Sequence, residues 1–212
     1  VFISLIFSMI IFYYSFTNEK SILYDDFYQW ISISGLNIGM GYLIDKLSAM
    51  MMVVVLLISF VVHVYSIGYM RDEKDFKRFF SYIALFTFSM ILLVMSNNLI
   101  QLFIGWEGVG LVSYLLIGFF YKKESAIKAN LKAFLINRIG DMFFIIGIIM
   151  VFVLLDSFDY KTMFSNLKLV DTSNLEYYYG FNYIDIACFF LFIGAMAKSA
   201  QIPLHVWLPD SM

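Results

Sequence analysis

One carboxylate, Glu107, stands in an apolar run that carries no other charge from Asn98 to Phe120. That run is about the length of a membrane-spanning helix, since roughly 20 apolar residues cover a bilayer's hydrocarbon core. Glu107 lies about eight residues in, roughly 12 Å deep at about 1.5 Å per residue. A charge at that depth costs roughly 2.5–3.5 kcal/mol on insertion scales, and ionisable groups so placed mark proton or ion pathways. Burial favours a carboxylate's neutral form and a nearby cation its charged form. A group held between the two can load and release a proton. Glycines at 105, 108 and 110 allow neighbouring helices to approach. The alternative is a permanently protonated Glu107 bonded to another helix.

Lys198 is the second candidate, within Phe192–Pro203. A desolvated lysine loses its proton readily when alone and keeps it when paired. Pro203 lacks an N–H and its ring opposes the carbonyl four residues back, so the helix should kink or break beside Lys198. Interrupted helices at mid-depth expose backbone groups to a cavity and form ion sites in transporters. The alternative is a lysine snorkelling to an interface. Asp141 and Arg138 lie one helical turn apart and can pair on one face, as a relay or a structural ion pair. His63 suits helix packing better than proton transfer, although histidine as a residue type serves near neutral pH. His205, just past Pro203, is a candidate for passing protons between the broken helix and water.

The elements that must position these groups are membrane helices. The chain has 212 residues, 62% hydrophobic and 14% charged, against about a quarter charged in soluble proteins. Mean hydropathy is +0.83. One cysteine, Cys188, excludes an internal disulfide and an iron–sulfur or zinc site. Gly105-Trp106-Glu107-Gly108-Val109-Gly110 has the wrong spacing for a dinucleotide loop. No cofactor, metal site or nucleic-acid partner is expected. The expected class is an all-α polytopic membrane protein in contact with lipid, its Phe, Tyr, Ile and Met usage suiting an AT-rich organelle genome.

Six spans are read: Val1–Phe16, Leu47–Tyr69, Phe79–Ser96, Leu99–Phe120, about Asn130–Leu155, and Tyr183–Ala200 continuing past a break near Pro203. Tyr28–Ile44 reads as a small surface β-hairpin, turning at Gly35-Leu36-Asn37. Phe158–Phe181 reads as a polar, tyrosine-rich connection with a turn at Asp171-Thr172-Ser173-Asn174. Eight Lys and Arg fall in short loops on one side (71, 74, 77, 78, 122, 123, 128, 132) and four in longer loops on the other (20, 46, 161, 168). The positive-inside rule assigns the first side to the matrix or cytoplasm. Asp45, Arg71 and Asp72 are expected at interfaces, and Trp30, Tyr82 and Trp207 as interfacial anchors.

Two strings go further. Leu85–Met90 leading into Asn98–Leu111 and Ser113–Gly118 is one; Lys198-Ser199-Ala200-Gln201-Ile202-Pro203-Leu204-His205-Val206-Trp207-Leu208-Pro209-Asp210 is the other. With Asn137–Asp141 and the stretch Gly35 to Ala49, they resemble the chain 5 family of antiporter-like membrane subunits of respiratory complex I, the proton-pumping NADH:ubiquinone oxidoreductase. The large subunit of multi-subunit sodium/proton antiporters shares much of this pattern. The resemblance implies a fold of inverted repeats, each with a membrane glutamate and a lysine on a broken helix forming a proton half-channel. It makes Glu107 the glutamate, Lys198 the lysine, and Asp141 and Arg138 the lateral charged pair.

Residues 1–212 would then be a partial domain, most of the N-terminal repeat, with hairpin 28–44 inside it. Position 46 is Lys where the family pattern has Pro. Against the family pattern the first helix is missing before Val1 and the chain stops at Met212 before the second repeat, so a split or incomplete subunit is expected, its C-terminal half carried by another chain. Expected partners are the other complex I membrane-arm subunits. The expected location is the mitochondrial inner membrane, with a bacterial plasma membrane as the alternative. Proton translocation through Glu107 and Lys198 is the expected function, as a non-redox subunit of the enzyme. The rivals are a sodium/proton antiporter subunit and a non-conducting scaffold.

Overall fold

The structure, a computed structural model, describes residues 1–18, 22–33, 36–169 and 182–211. Gly35 and the turn placed at Asp171–Asn174 lie outside them. The chain divides into two compact units, Val1–Leu116 and Ile117–Met212.

The first unit opens with helix α1 (Phe2–Thr17), followed by strands β1 (Leu23–Ile33) and β2 (Leu36–Ile44) and helices α2 (Lys46–Tyr69), α3 (Phe76–Val94) and α4 (Leu99–Ile117). α1 packs on α2, and α2 on α3. The stripe of α2 that is buried runs Ala49, Met52, Leu56, Ser59 and Ser66. These are spaced three, four, three and seven residues apart, one helix face, and include small residues, the pattern that lets membrane helices approach closely. Leu57, Ile58, Val61, Val62 and Tyr65 face outward. A helix apolar all round, with only its small-residue stripe covered, suits lipid on its other faces. Ile44, Ala49 and Met52 form a core cluster against Ile11, Phe12 and Val94. Asp45 caps α2, its Oδ1 accepting from the Ser48 amide at 2.7 Å.

The hairpin is antiparallel, pairing Leu23 with Ile44 at one end and Ile33 with Leu36 at the other. It therefore starts five residues before Tyr28. Register shifts between Asp26 and Tyr28 and between Gln29 and Ile31 insert extra residues into β1. These bulges break the alternation by which a strand is recognised.

The second unit holds α5 (Glu124–Leu155), α6 (Tyr160–Leu169), α7 (Tyr183–Lys198) and α8 (Leu208–Ser211). α5 begins six residues before the expected Asn130. Its first turns carry a Glu124–Lys128 ion pair at 2.8 Å, so hydropathy reports only the apolar part of a longer helix. α6 replaces part of the expected connection. Asp159 caps it through the Thr162 amide at 2.9 Å, and Asn166 Nδ2 donates to the Leu155 carbonyl at 2.8 Å.

α5 and α7 pack through small residues. A Cβ on Gly140 would strike that of Ala197, one on Gly147 would meet Leu191, and one on Gly194 would lie 2.7 Å from Phe144 Cβ. Among the described residues four helices (α2, α3, α4 and α5) are long and apolar enough to cross a membrane. α1 and α7, with 16 residues each, reach about 24 Å at 1.5 Å per residue.

Candidate functional site

In the second unit the α5–α7 seam assembles three charges. Gly140 lets Ala197 press against α5, which brings the next residue of each helix, Asp141 and Lys198, to one level. Lys198 Nζ lies 3.8 Å from Asp141 Oδ1, and Arg138 Nη1 lies 3.9 Å from Asp141 Oδ2. Asp141 is 3% exposed. The side chains of Lys198 and Arg138 are 16% and 40% exposed. Both separations exceed hydrogen-bond length. One carboxylate thus answers two cations at ion-pair range. The pairing of Asp141 with Arg138 was expected from their spacing. That of Asp141 with Lys198 was not, because it depends on which faces of α5 and α7 meet.

Lys198 is the last residue of α7. The helix ends in a paired turn: the Ala200 amide donates to the Ala197 carbonyl at 3.3 Å and the Gln201 amide to the Met196 carbonyl at 3.0 Å. This Schellman arrangement satisfies carbonyls that a helix end otherwise orphans, and it needs a left-handed residue, usually glycine. Ala200 fills that place at φ 50°. The interruption expected beside Lys198 falls there, with the helix stopping five residues before Pro203. A cation at the helix C-terminus also meets the negative end of the helix dipole.

Two contacts fasten the segment beyond the break. Trp207 Nε1 donates to the Ala197 carbonyl at 3.1 Å. Lys132 Nζ pairs with Asp210 Oδ2 at 2.6 Å. Trp207, read as an interfacial anchor, thus ties the segment back to α7. Neither contact has a sequence signature, since both link positions brought together by the turn. His205 is exposed within that turn, and among the described residues its ring makes no hydrogen bond or ion pair.

In the first unit Glu107 is half-buried on α4. Its neighbours fix the helix closely. A Cβ on Gly105 would lie 2.7 Å from the Leu93 amide nitrogen, and one on Gly108 would lie 2.7 Å from Ser89 Oγ. His63 is held by its own helix, Nδ1 lying 2.7 Å from the Ser59 carbonyl. Ser59 Oγ lies 2.6 Å from Thr87 Oγ1, linking α2 to α3. The His63 ring itself meets Phe80 of α3 edge-on, centroids 5.9 Å apart.

The comparisons with known proteins converge. Residues 96–212 match the family model for the transmembrane region of NADH:quinone oxidoreductase and Mrp antiporters, and residues 30–80 match that for the N-terminus of complex I chain 5. NADH-quinone oxidoreductase subunit L of Neisseria meningitidis is 53% identical over 204 residues, which is 94% of this chain and 30% of the relative. The Rickettsia conorii subunit L is 47% identical over 99% of this chain and 32% of its own length. NADH-ubiquinone oxidoreductase chain 5 of Phytophthora infestans is 46% identical, covering all of this chain and 32% of its own. The chain spans about a third of the length of these relatives. Among solved structures, a chain of an archaeal membrane-bound sulfane sulfur reductase matches with a TM-score of 0.80 at 14% identity, over 99% of this chain and 40% of that one.

Proposed function

The chain belongs to the NADH:quinone oxidoreductase/Mrp antiporter membrane family, with the N-terminal signature of complex I chain 5, and from that membership we infer that it carries protons as a membrane-arm subunit of NADH:quinone oxidoreductase. It is a multi-pass protein of an inner mitochondrial or bacterial plasma membrane, relatives of both kinds being known. Electron transfer belongs to other subunits; this one supplies charge movement. Its partners are the remaining membrane-arm subunits and polypeptide equivalent to the rest of its relatives' length, on this chain or another.

The observation that carries the reading is Asp141 between Lys198 and Arg138. Arginine stays protonated at all accessible pH values, whereas lysine can give its proton up. Arg138 therefore stands as a permanent counterion, and Asp141 keeps one cation whichever state Lys198 takes. Lys198 can lose its proton, or turn toward another carboxylate, without leaving Asp141 a bare buried anion. Glu107 is the acid that takes and passes protons on α4, loading as nearby positive charge recedes and unloading as it returns. His205, exposed beyond the break, is a point of exchange with water. Moving one charge against about 100 mV requires about 2.3 kcal/mol, within reach of rearranging such pairs in series.

Glu107→Gln and Lys198→Gln in the assembled, reconstituted complex test this. Protons moved per NADH oxidised should fall sharply in both, and pumping at the parent ratio would overturn the reading. The family model over 96–212 also describes Mrp antiporters. The chain 5 match at 30–80 favours the redox-driven complex. Sodium-dependent exchange without NADH oxidation would select the antiporter.

A further inference from the structure

β2 has two edges, and only one pairs with β1. Along the other, backbone groups of alternate residues point the same way. The Gly39 carbonyl accepts from Asn98 Nδ2 at 2.8 Å. The Gly41 amide donates to Gln101 Oε1 at 2.9 Å, and its carbonyl accepts from Gln101 Nε2 at 2.8 Å. The Leu43 amide donates to the Met95 carbonyl at 2.9 Å. A bare strand edge ordinarily invites another strand. Here the corner between α3 and α4 takes that place, and the Gln101 amide offers the acceptor and donor a strand residue would offer. β1 is held as well, Asn97 Nδ2 donating to Asp26 Oδ1 at 2.6 Å.

The same corner starts α4. Asn98 Oδ1 accepts from the Gln101 amide at 2.7 Å, an N-cap. Asn97, Asn98 and Gln101 are 1%, 4% and 2% exposed. The fit is close, since a Cβ on Gly41 would strike both Asn97 Nδ2 and the Asp25 carbonyl. Apolar packing tolerates sliding. A two-point amide pairing does not, and a fully satisfied buried polar network specifies one geometry. Glu107 stands six residues beyond Gln101 on the same helix, about 9 Å along its axis.

We propose that the hairpin is a positioning device for Glu107. The sheet sets the height and rotation of α4 through Gln101, Asn98 and Asn97, and α4 carries that setting to the carboxyl. Gln101 and Asn97 are positioning residues rather than proton carriers. The proposal rests on reading Glu107 as the proton-carrying acid.

The test uses the assembled complex in its membrane, with Gln101→Met, which keeps length but loses the amide, and Asn97→Ala. A protonated carboxyl adds across the C=N bond of dicyclohexylcarbodiimide to give an O-acylisourea, which rearranges to a stable N-acylurea. The rate of that labelling at Glu107, read by peptide mass spectrometry across pH, reports the carboxyl's environment. Gln101→Met should displace the labelling curve and lower protons moved per electron, and Asn97→Ala should do so less. Assembled variants whose curves superimpose on the parent overturn the proposal. If Gln101→Met does not assemble, Asn97→Ala decides by the same criterion. If neither assembles, the joint serves folding and the proposal fails. Glu107→Gln run in parallel separates the two ideas. Normal pumping there removes the proton-carrier reading, while the labelling curves still report whether the joint positions the carboxyl.

Discussion

Around Glu107 the first unit keeps a helix whole, whereas at Lys198 the second unit ends one. α4 runs unbroken through Leu99–Ile117, capped by Asn98 at its start and pressed against α3 at Gly105 and Gly108. α7 stops at Lys198, turns through a left-handed Ala200, and is fastened by Trp207 and Asp210. An acid inside a continuous helix has no free backbone near it, so its surroundings come from neighbouring helices. A base at a helix end borrows the dipole of the helix and sits where the chain can change direction. The first arrangement suits a fixed carrier and the second a group that shifts between partners.

The largest break in that comparison is to remove the anion that holds Lys198. Asp141→Asn leaves two cations facing a neutral amide at the α5–α7 seam. Breaking a buried pair from one side costs about 3–5 kcal/mol. The lower end applies here, because the Arg138 side chain is 40% exposed. Subunit retention on native gels should fall, and proton transfer in whatever assembles should be lost. Full pumping by Asp141→Asn would mean that Lys198 does not depend on this carboxylate, and the contrast between a fixed acid and a supported base would collapse.

A smaller effect should come from the seam itself. Gly140→Ala places a methyl against Ala197, and overpacking of this kind costs about 1–3 kcal/mol. The complementary Ala197→Gly makes room, so the double variant should recover most of the loss, a coupling that a mutant cycle reads directly. Thermal retention of the subunit in detergent is the measurement. Additive losses would show that Asp141 and Lys198 are not brought level by this contact.

Much of this was legible in the chain, and what was not has physical causes. The spans were plain because lipid-facing helices must be apolar. The break announced itself through Pro203, since proline cannot continue a helix. The form of its turn could not be read, because the turn is built on Ala200, a residue with no left-handed preference. Leu23 to Phe27 escaped notice as a strand because Asp25 and Asp26 are poor strand formers, and a bulge after Asp26 separates them from the rest of β1. α6 was missed because its ten residues, amphipathic but low in overall hydropathy, sit inside a polar, tyrosine-rich connection. Glu107, Lys198, Arg138 and Asp141 stood out as charges in apolar surroundings. Gln101, Asn97 and Asp210 did not, since uncharged amides and an acid on one short exposed helical turn carry no such signal.

The finest distinction between the two regions lies in Ala200. A left-handed conformation costs an L-residue other than glycine roughly 1–2 kcal/mol, and Ala200 adopts it at φ 50°. Glycine would relieve that strain but lose more freedom on folding, a penalty of about 0.5–1 kcal/mol. Ala200→Gly should therefore change stability by no more than about 1.5 kcal/mol, in the stabilising direction, with thermal retention of the subunit as the readout. Its effect on function should be of another kind. The turn would be easier to form and also easier to leave, because glycine has many conformations available where alanine has few. If Lys198 works by shifting between partners at a hinged helix end, Ala200→Gly should change protons moved per electron while the folded subunit persists. If Lys198 is as fixed as Glu107, the variant should be slightly more stable and pump as before, and the two regions would differ in shape alone.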